Sequence, residues 1–121
     1  MSTKDEHLKQ AGHNFEFYQS IDSKKYSDWA VTALYYSALQ FVDAFLAKHR
    51  ITPGQHDQRD QHMNLHPELK AIAIHYFKLK SASRTARYYP SSAFSDRDIR
   101  ELENLRYDVL KTHLLRYIQA A

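Results

Sequence analysis

The chain has 121 residues, 43% of them hydrophobic, with 2 Gly, 3 Pro and no Cys. This length suits a single domain, 1–121, and the absence of Cys excludes disulfides, thiolate metal sites and a Cys nucleophile. So few turn-forming residues favour an all-α fold, because a β protein needs a turn signal about every 8–12 residues.

Charge is unevenly distributed along the sequence. The net charge is +3, but residues 46–90 carry eight basic and three acidic groups, whereas residues 91–121 are balanced. A positive cluster attracts phosphates if its members share one face; the alternative is an ordinary solvated helix surface. No apolar run approaches the roughly 20 residues of a membrane span, and no signal peptide is evident. We therefore expect a cytoplasmic protein without a membrane role.

The first two helices are indicated by apolar periodicity. Helix one is expected to begin near Thr3, at a capping-box spacing, and to end near Asp22. Helix two is expected over residues 26–49 and is apolar on two faces, one containing Trp29 and the other Tyr35. Only one face can meet the core of a small bundle, so the second predicts another partner, a homodimer through helix two.

A longer connection, residues 50–65, separates helix two from helix three. Asp57 is expected to cap one or two helical turns that reach Leu65. The segment and its flanks are rich in polar side chains: His49, His56, Arg59, His62 and His66. The i, i+4 spacing of two of these histidines permits metal binding, but the ligand set is incomplete and we predict neither a metal site nor a cofactor.

Helices three and four complete the prediction. Helix three is expected from Pro67 to Tyr89, and helix four from a capping box at Ser95 to Ile118. The inward-facing stripe of helix four is expected to contain Ile99, Leu102, Val109, Leu110, His113, Leu114 and Tyr117. The predicted fold is a four-helix antiparallel up-and-down bundle with a longer connection between helices two and three.

The end of helix three carries the main candidate site. Lys80, Arg84 and Arg87 lie at steps of four and three, so they share a face, and Tyr88 and Tyr89 follow directly. Such a cluster can hold a phosphate while a ring stacks on a base. The alternative is that the cations only complement the helix dipole and the tyrosines only pack.

Several short motifs resemble those of HEPN domains. Helix two contains Ala33-Leu-Tyr-Tyr-Ser-Ala38, a Pro-Gly turn and His56 follow, and helix three ends in Arg84-Thr-Ala-Arg-Tyr-Tyr89. The similarity covers roughly residues 26–118 and lies in the order and spacing of the motifs. It implies a four-helix bundle, usually dimeric. Members of that family include metal-independent ribonucleases, toxins paired with antitoxins, and non-catalytic companions of nucleotidyltransferases.

Catalytic members of the HEPN family resemble one another in an Arg followed, after four to six residues, by a His near the junction of helices three and four. This chain departs from that pattern, since no His follows Arg84 or Arg87 at that spacing. Other Arg–His pairs at comparable spacing occur elsewhere, at Arg50/His56, Arg59/His66 and Arg106/His113, a number close to chance. The departure favours a module without catalytic activity.

We therefore expect a non-catalytic, HEPN-like, homodimeric module that binds RNA, a nucleotide or a protein partner such as a nucleotidyltransferase or an antitoxin. Its binding residues are expected to be Lys80, Arg84, Arg87, Tyr88, Tyr89, His56 and Arg59. Two alternatives stay open. One is a metal-independent ribonuclease that uses His56 with Arg59 or Arg84. The other is a purely structural or antitoxin-binding bundle.

Overall fold

Helices account for nearly all of the chain in the computed structural model, which describes residues 3–52, 56–89 and 94–120, except the side chains of His56 and Asp57. No strand occurs in these ranges, so the predicted all-α class is confirmed. The elements are α1 (Lys4–Ser20), α2 (Ser27–Lys48), α3 (His56–Leu65), α4 (Pro67–Lys70), α5 (Ala73–Tyr88), α6 (Asp96–Glu101), a π-helical segment (Leu102–Tyr107) and α7 (Asp108–Ile118).

The central element is α2, with 15 of its 22 residues buried. It packs against α1, α5, α7 and the π-helical segment, so both of its apolar faces are covered within one chain, except for Trp29 at its start. The reason for expecting a dimer through a second apolar face is therefore absent. By length and composition α2 would also suffice to cross a membrane, but most of it is buried inside the fold, as in the core helix of a globular protein.

The connection after α2 is more ordered than expected. In place of one or two turns, ten residues form α3, and its Met63 is completely buried. The predicted third helix is divided into α4 and α5 by a turn at Ala71–Ile72. Leu69 and Ile72, on either side of Ala71, are both buried, so the turn directs two apolar side chains into the core.

The predicted fourth helix contains the π-helical segment. A π-helix closes its hydrogen bonds at i→i+5, one residue wider than an α-helix, and this displaces the apolar stripe that follows. Tyr107 is buried and stacks on Phe15 with ring centroids 5.0 Å apart. Val109 and Tyr117, which the unbroken period placed inward, are instead 42% and 39% exposed.

The C-terminus of α2 ends in a strained residue. Arg50 has φ of 61°, in the left-handed region that favours glycine. Its N–H donates to the Ala47 carbonyl at 3.0 Å, and the Ile51 N–H donates to the Leu46 carbonyl at 2.9 Å. This is the Schellman arrangement, in which glycine usually occupies the left-handed position.

We expect Arg50→Gly to raise the free energy of unfolding by about 1 kcal/mol, because it removes the clash of a Cβ in the left-handed region. Urea denaturation followed by circular dichroism measures the change. The matched control, Arg100→Gly on the exposed surface of α6, should lower stability by a similar amount, about 1 kcal/mol, since glycine is a poor helix former. If Arg50→Gly lowers the free energy of unfolding, the claim that Arg50 is strained in the left-handed region is wrong.

Candidate ligand-binding pocket

A pocket of about 490 Å³ lies where the C-terminal half of α5 crosses α2. Its walls combine aromatic and basic side chains: Tyr35, Tyr36, Lys80, Arg84, Arg87, Tyr88 and Tyr89. Among the described residues no carboxylate and no histidine lines it. The structure therefore brings five of the seven sequence-predicted binding residues together and adds two tyrosines from α2. We call this the basic pocket.

The position of the cations follows from the helical period of α5. Leu79, Ser83 and Ala86 are buried on one side of α5. Each is followed directly by a basic residue, so the three cations lie next to this buried stripe. α5 ends at Tyr88, as expected when a proline follows two residues later in the sequence. Tyr88 and Tyr89, at this end, are 69% and 61% exposed as residues.

The three cations of the basic pocket differ in how they are held. Lys80 forms an ion pair with Asp60 of α3. Arg87 donates a hydrogen bond to the Tyr36 hydroxyl, and its guanidinium lies 5.6 Å from the ring centroids of both Tyr36 and Tyr88. Arg84 forms no ion pair or hydrogen bond within the described ranges. Arg84 is thus available to an anion, and Arg87, whose hydrogen-bond acceptor is a neutral hydroxyl, keeps its positive charge for the same anion.

Hydroxyl groups connect the pocket to the core. The Tyr35 and Tyr76 hydroxyls lie 3.3 Å apart, and the Tyr76 hydroxyl donates to Asp60 Oδ1 at 3.4 Å. Burial raises the pKa of both Tyr35 and Tyr76 above the ordinary value of a phenol. Neither phenol can therefore act as a general base near neutral pH, and their role here is to hold the pocket wall.

One predicted binding residue, Arg59, does not line the basic pocket. Arg59 donates from Nε to Asp43 Oδ1 at 2.7 Å, and a second guanidinium nitrogen donates to Oδ2 at 3.0 Å. The two side chains are 11% and 7% exposed, so this is a buried bidentate ion pair between α3 and α2. Arg59 therefore anchors α3 to the core. The side chain of His56 lies outside the described residues.

Four other histidines make contacts outside the basic pocket. His62 Nδ1 and His66 Nε2 are 3.1 Å apart, and no cluster of three or more metal-ligating side chains occurs in the described ranges. His113 bonds to the Glu68 carbonyl oxygen at 3.0 Å, while Arg106 contacts His75 Nδ1 at 3.3 Å. The Arg106/His113 spacing noted in the sequence thus does not form a pair.

Asp43 and Asp60 were missed by the sequence analysis. Asp43 interrupts the apolar run of α2, and a charged residue that is fully buried needs a partner. The position of Asp43 in this apolar run predicts an ion pair, but it does not identify the basic residue that completes the pair. Asp60 had no such signal, because it meets Lys80 only after α3 folds against α5.

Comparison with family models, with curated proteins and with solved structures found no match. The resemblance to HEPN domains therefore rests on the motifs described above.

We expect Asp43→Asn to lower the free energy of unfolding by about 3 kcal/mol, because it removes the buried carboxylate charge that pairs with the Arg59 guanidinium. Urea denaturation measures the loss. In the control, Glu101→Gln breaks the Arg97–Glu101 pair, whose side chains are 82% and 51% exposed, and should cost less than about 0.5 kcal/mol. Equal effects of the two variants would show that the Asp43 pair is not protected from solvent.

Proposed function

We propose that this chain is a non-catalytic, HEPN-like four-helix module of the cytoplasm that binds RNA or a nucleotide in the basic pocket. The observation that carries the proposal is Arg84, a cation without a partner among the described residues, in a pocket whose described walls hold two further cations and four tyrosines. A phosphate neutralises such a site, and a base can stack on an exposed phenol ring.

The aromatic content distinguishes this ligand from a simple anion. Tyr88 and Tyr89 are both largely exposed to solvent beside the cations. Inorganic phosphate would use the guanidinium groups and leave both rings exposed. A nucleotide combines a phosphate with a flat base and so can use both parts of the pocket.

The chemistry of the pocket supports binding without cleavage. Transfer of the ribose hydroxyl proton needs a group whose pKa is near the working pH, which in ribonucleases is commonly a histidine. The described lining contains no histidine, and the pKa of its buried phenol, Tyr35, is raised. Arg59, the expected partner of His56 in the ribonuclease alternative, is bound to Asp43.

Homodimerisation is part of the proposal through the HEPN resemblance alone. Because α2 is buried over most of its length, a dimer that involves this helix has to use its few exposed residues, which lie at its two ends and at Tyr36 and Gln40. Sedimentation velocity at micromolar concentration tests this. A stable monomer would remove the dimer and leave the binding site intact.

We expect the double variant Arg84→Ala/Arg87→Ala to weaken binding of short single-stranded RNA at least about tenfold. In filter binding over a salt series, the slope of log affinity against log salt should fall by about 0.7 for each lost phosphate contact. The reason is that each contact releases counterions from the RNA.

The control is Arg100→Ala/Arg116→Ala, which removes the same charge from exposed positions outside the basic pocket. It should change neither affinity nor slope beyond a small general effect. Equal weakening by the two double variants would overturn the site. Cleavage of RNA in EDTA by the purified wild-type protein would overturn the non-catalytic role.

A further inference from the structure

The ion pair between Lys80 and Asp60 joins the basic pocket to α3. Lys80 lines the pocket, whereas Asp60 belongs to α3 and does not line it. The Lys80 ammonium donates a hydrogen bond to Asp60 Oδ2, and the two side chains are 27% and 28% exposed. Of the three cations of the basic pocket, Lys80 is the one with a carboxylate partner within the described ranges.

Asp60 is held in place by contacts other than this pair. Its neighbour Arg59 forms a buried ion pair with α2, and Met63, one turn later on α3, is completely buried. Asp60 Oδ1 also accepts a hydrogen bond from the hydroxyl of the buried Tyr76, at 3.4 Å. The carboxylate can therefore keep its position, and a hydrogen-bond donor of its own, when Lys80 turns away from it.

A phosphate bound at Arg84 competes with Asp60 for Lys80. Lys80 lies one turn before Arg84 on the same face of α5, so its flexible side chain can reach an anion bound there. An ion pair that is about a quarter exposed is weak, because water screens it. The contact between Lys80 and Asp60 is thus one that a phosphate can displace, but only with a loss of affinity.

We propose that Asp60 is the affinity-limiting residue of the basic pocket: by holding Lys80, it leaves two uncompensated cations, Arg84 and Arg87, for the ligand. This inference rests on the proposed function. It gives α3 a regulatory contact with the binding site. It also separates the three cations by role, because Arg84 and Arg87 bind phosphate directly, whereas Lys80 does so only when it leaves Asp60.

The test is Asp60→Asn, measured by filter binding of short single-stranded RNA over a salt series. The amide keeps an oxygen that can accept the Tyr76 hydrogen bond, but it has no charge with which to hold Lys80. We expect the affinity to rise about threefold to tenfold, and the slope of log affinity against log salt to become steeper by about 0.7, the value of one additional phosphate contact.

A second variant, Asp60→Ser, removes the same charge with a smaller side chain and should give the same gain. If both variants leave affinity and slope unchanged, the inference is overturned.

Substitution of Lys80 shows whether the gain depends on this residue. Lys80→Met leaves Asp60 unpaired beside the pocket, so we expect the affinity for RNA to fall. Asp60→Asn/Lys80→Met removes the whole pair and leaves Arg84 and Arg87, so its affinity should lie within about twofold of wild type. If this double variant binds RNA as tightly as Asp60→Asn, Lys80 does not contact the ligand and the inference is wrong.

The control is Glu101→Gln, which neutralises the carboxylate of the Arg97–Glu101 pair, outside the basic pocket. It should change the affinity for RNA by less than about twofold, because salt screens a distant exposed charge. If it raises the affinity as much as Asp60→Asn does, the gain is a general effect of net charge and the inference is overturned.

Failure of the inference can be distinguished from failure of the proposed function. If Arg84→Ala/Arg87→Ala weakens RNA binding while Asp60→Asn leaves it unchanged, the basic pocket binds RNA but Asp60 does not limit its affinity. If neither variant changes binding, the inference and the proposed function are both wrong.

Discussion

The burial of α2 on nearly its whole circumference is the constraint on which the rest of the structure depends. A helix of this composition needs apolar partners on every side but one, and α1, α5, α7 and the π-helical segment provide them. Because these elements surround α2, the position of each follows from what it covers. The basic pocket then forms where the end of α5 projects beyond the buried stripe, beside Tyr35 and Tyr36.

The second organising interaction is the attachment of α3 by charge. Arg59 joins α3 to α2 through Asp43, and Asp60 joins it to α5 through Lys80. The first pair is buried and fixes the helix. The second, about a quarter exposed, neutralises one cation of the basic pocket, so Asp60 influences the charge of the pocket without lining it. This division explains why Arg84, rather than Lys80, is available to an anion.

Local signals in the sequence predicted most of the helices and grouped the residues of α5 that line the basic pocket. The capping boxes at Thr3 and Ser95 and the i, i+3, i+4 spacing of Lys80, Arg84 and Arg87 act within one or two turns, so they can be read without knowledge of the fold. The turn between α4 and α5 and the π-helical segment have no such signal. Leu69, Ile72 and Tyr76 keep the helical period across the turn. The π-helical segment, by contrast, is imposed by packing, which requires Tyr107 to be buried where an unbroken period would not place it. For the same reason, the sequence could not show that Arg59 belongs to Asp43.

The π-helical segment carries two hydrogen-bonded anchors, one to α1 and one to α2. Near its start Glu103 accepts a hydrogen bond from the Tyr18 hydroxyl at 2.7 Å, and at its end the Tyr107 hydroxyl lies 2.8 Å from Ser37 Oγ. Both anchors tie this region to the α1–α2 pair, and the additional residue in the turn sets their relative angle. The number of residues between the anchors is therefore as much a part of the fold as their identity. During evolution, this segment should tolerate substitution of its solvent-exposed residues far more readily than a single insertion or deletion.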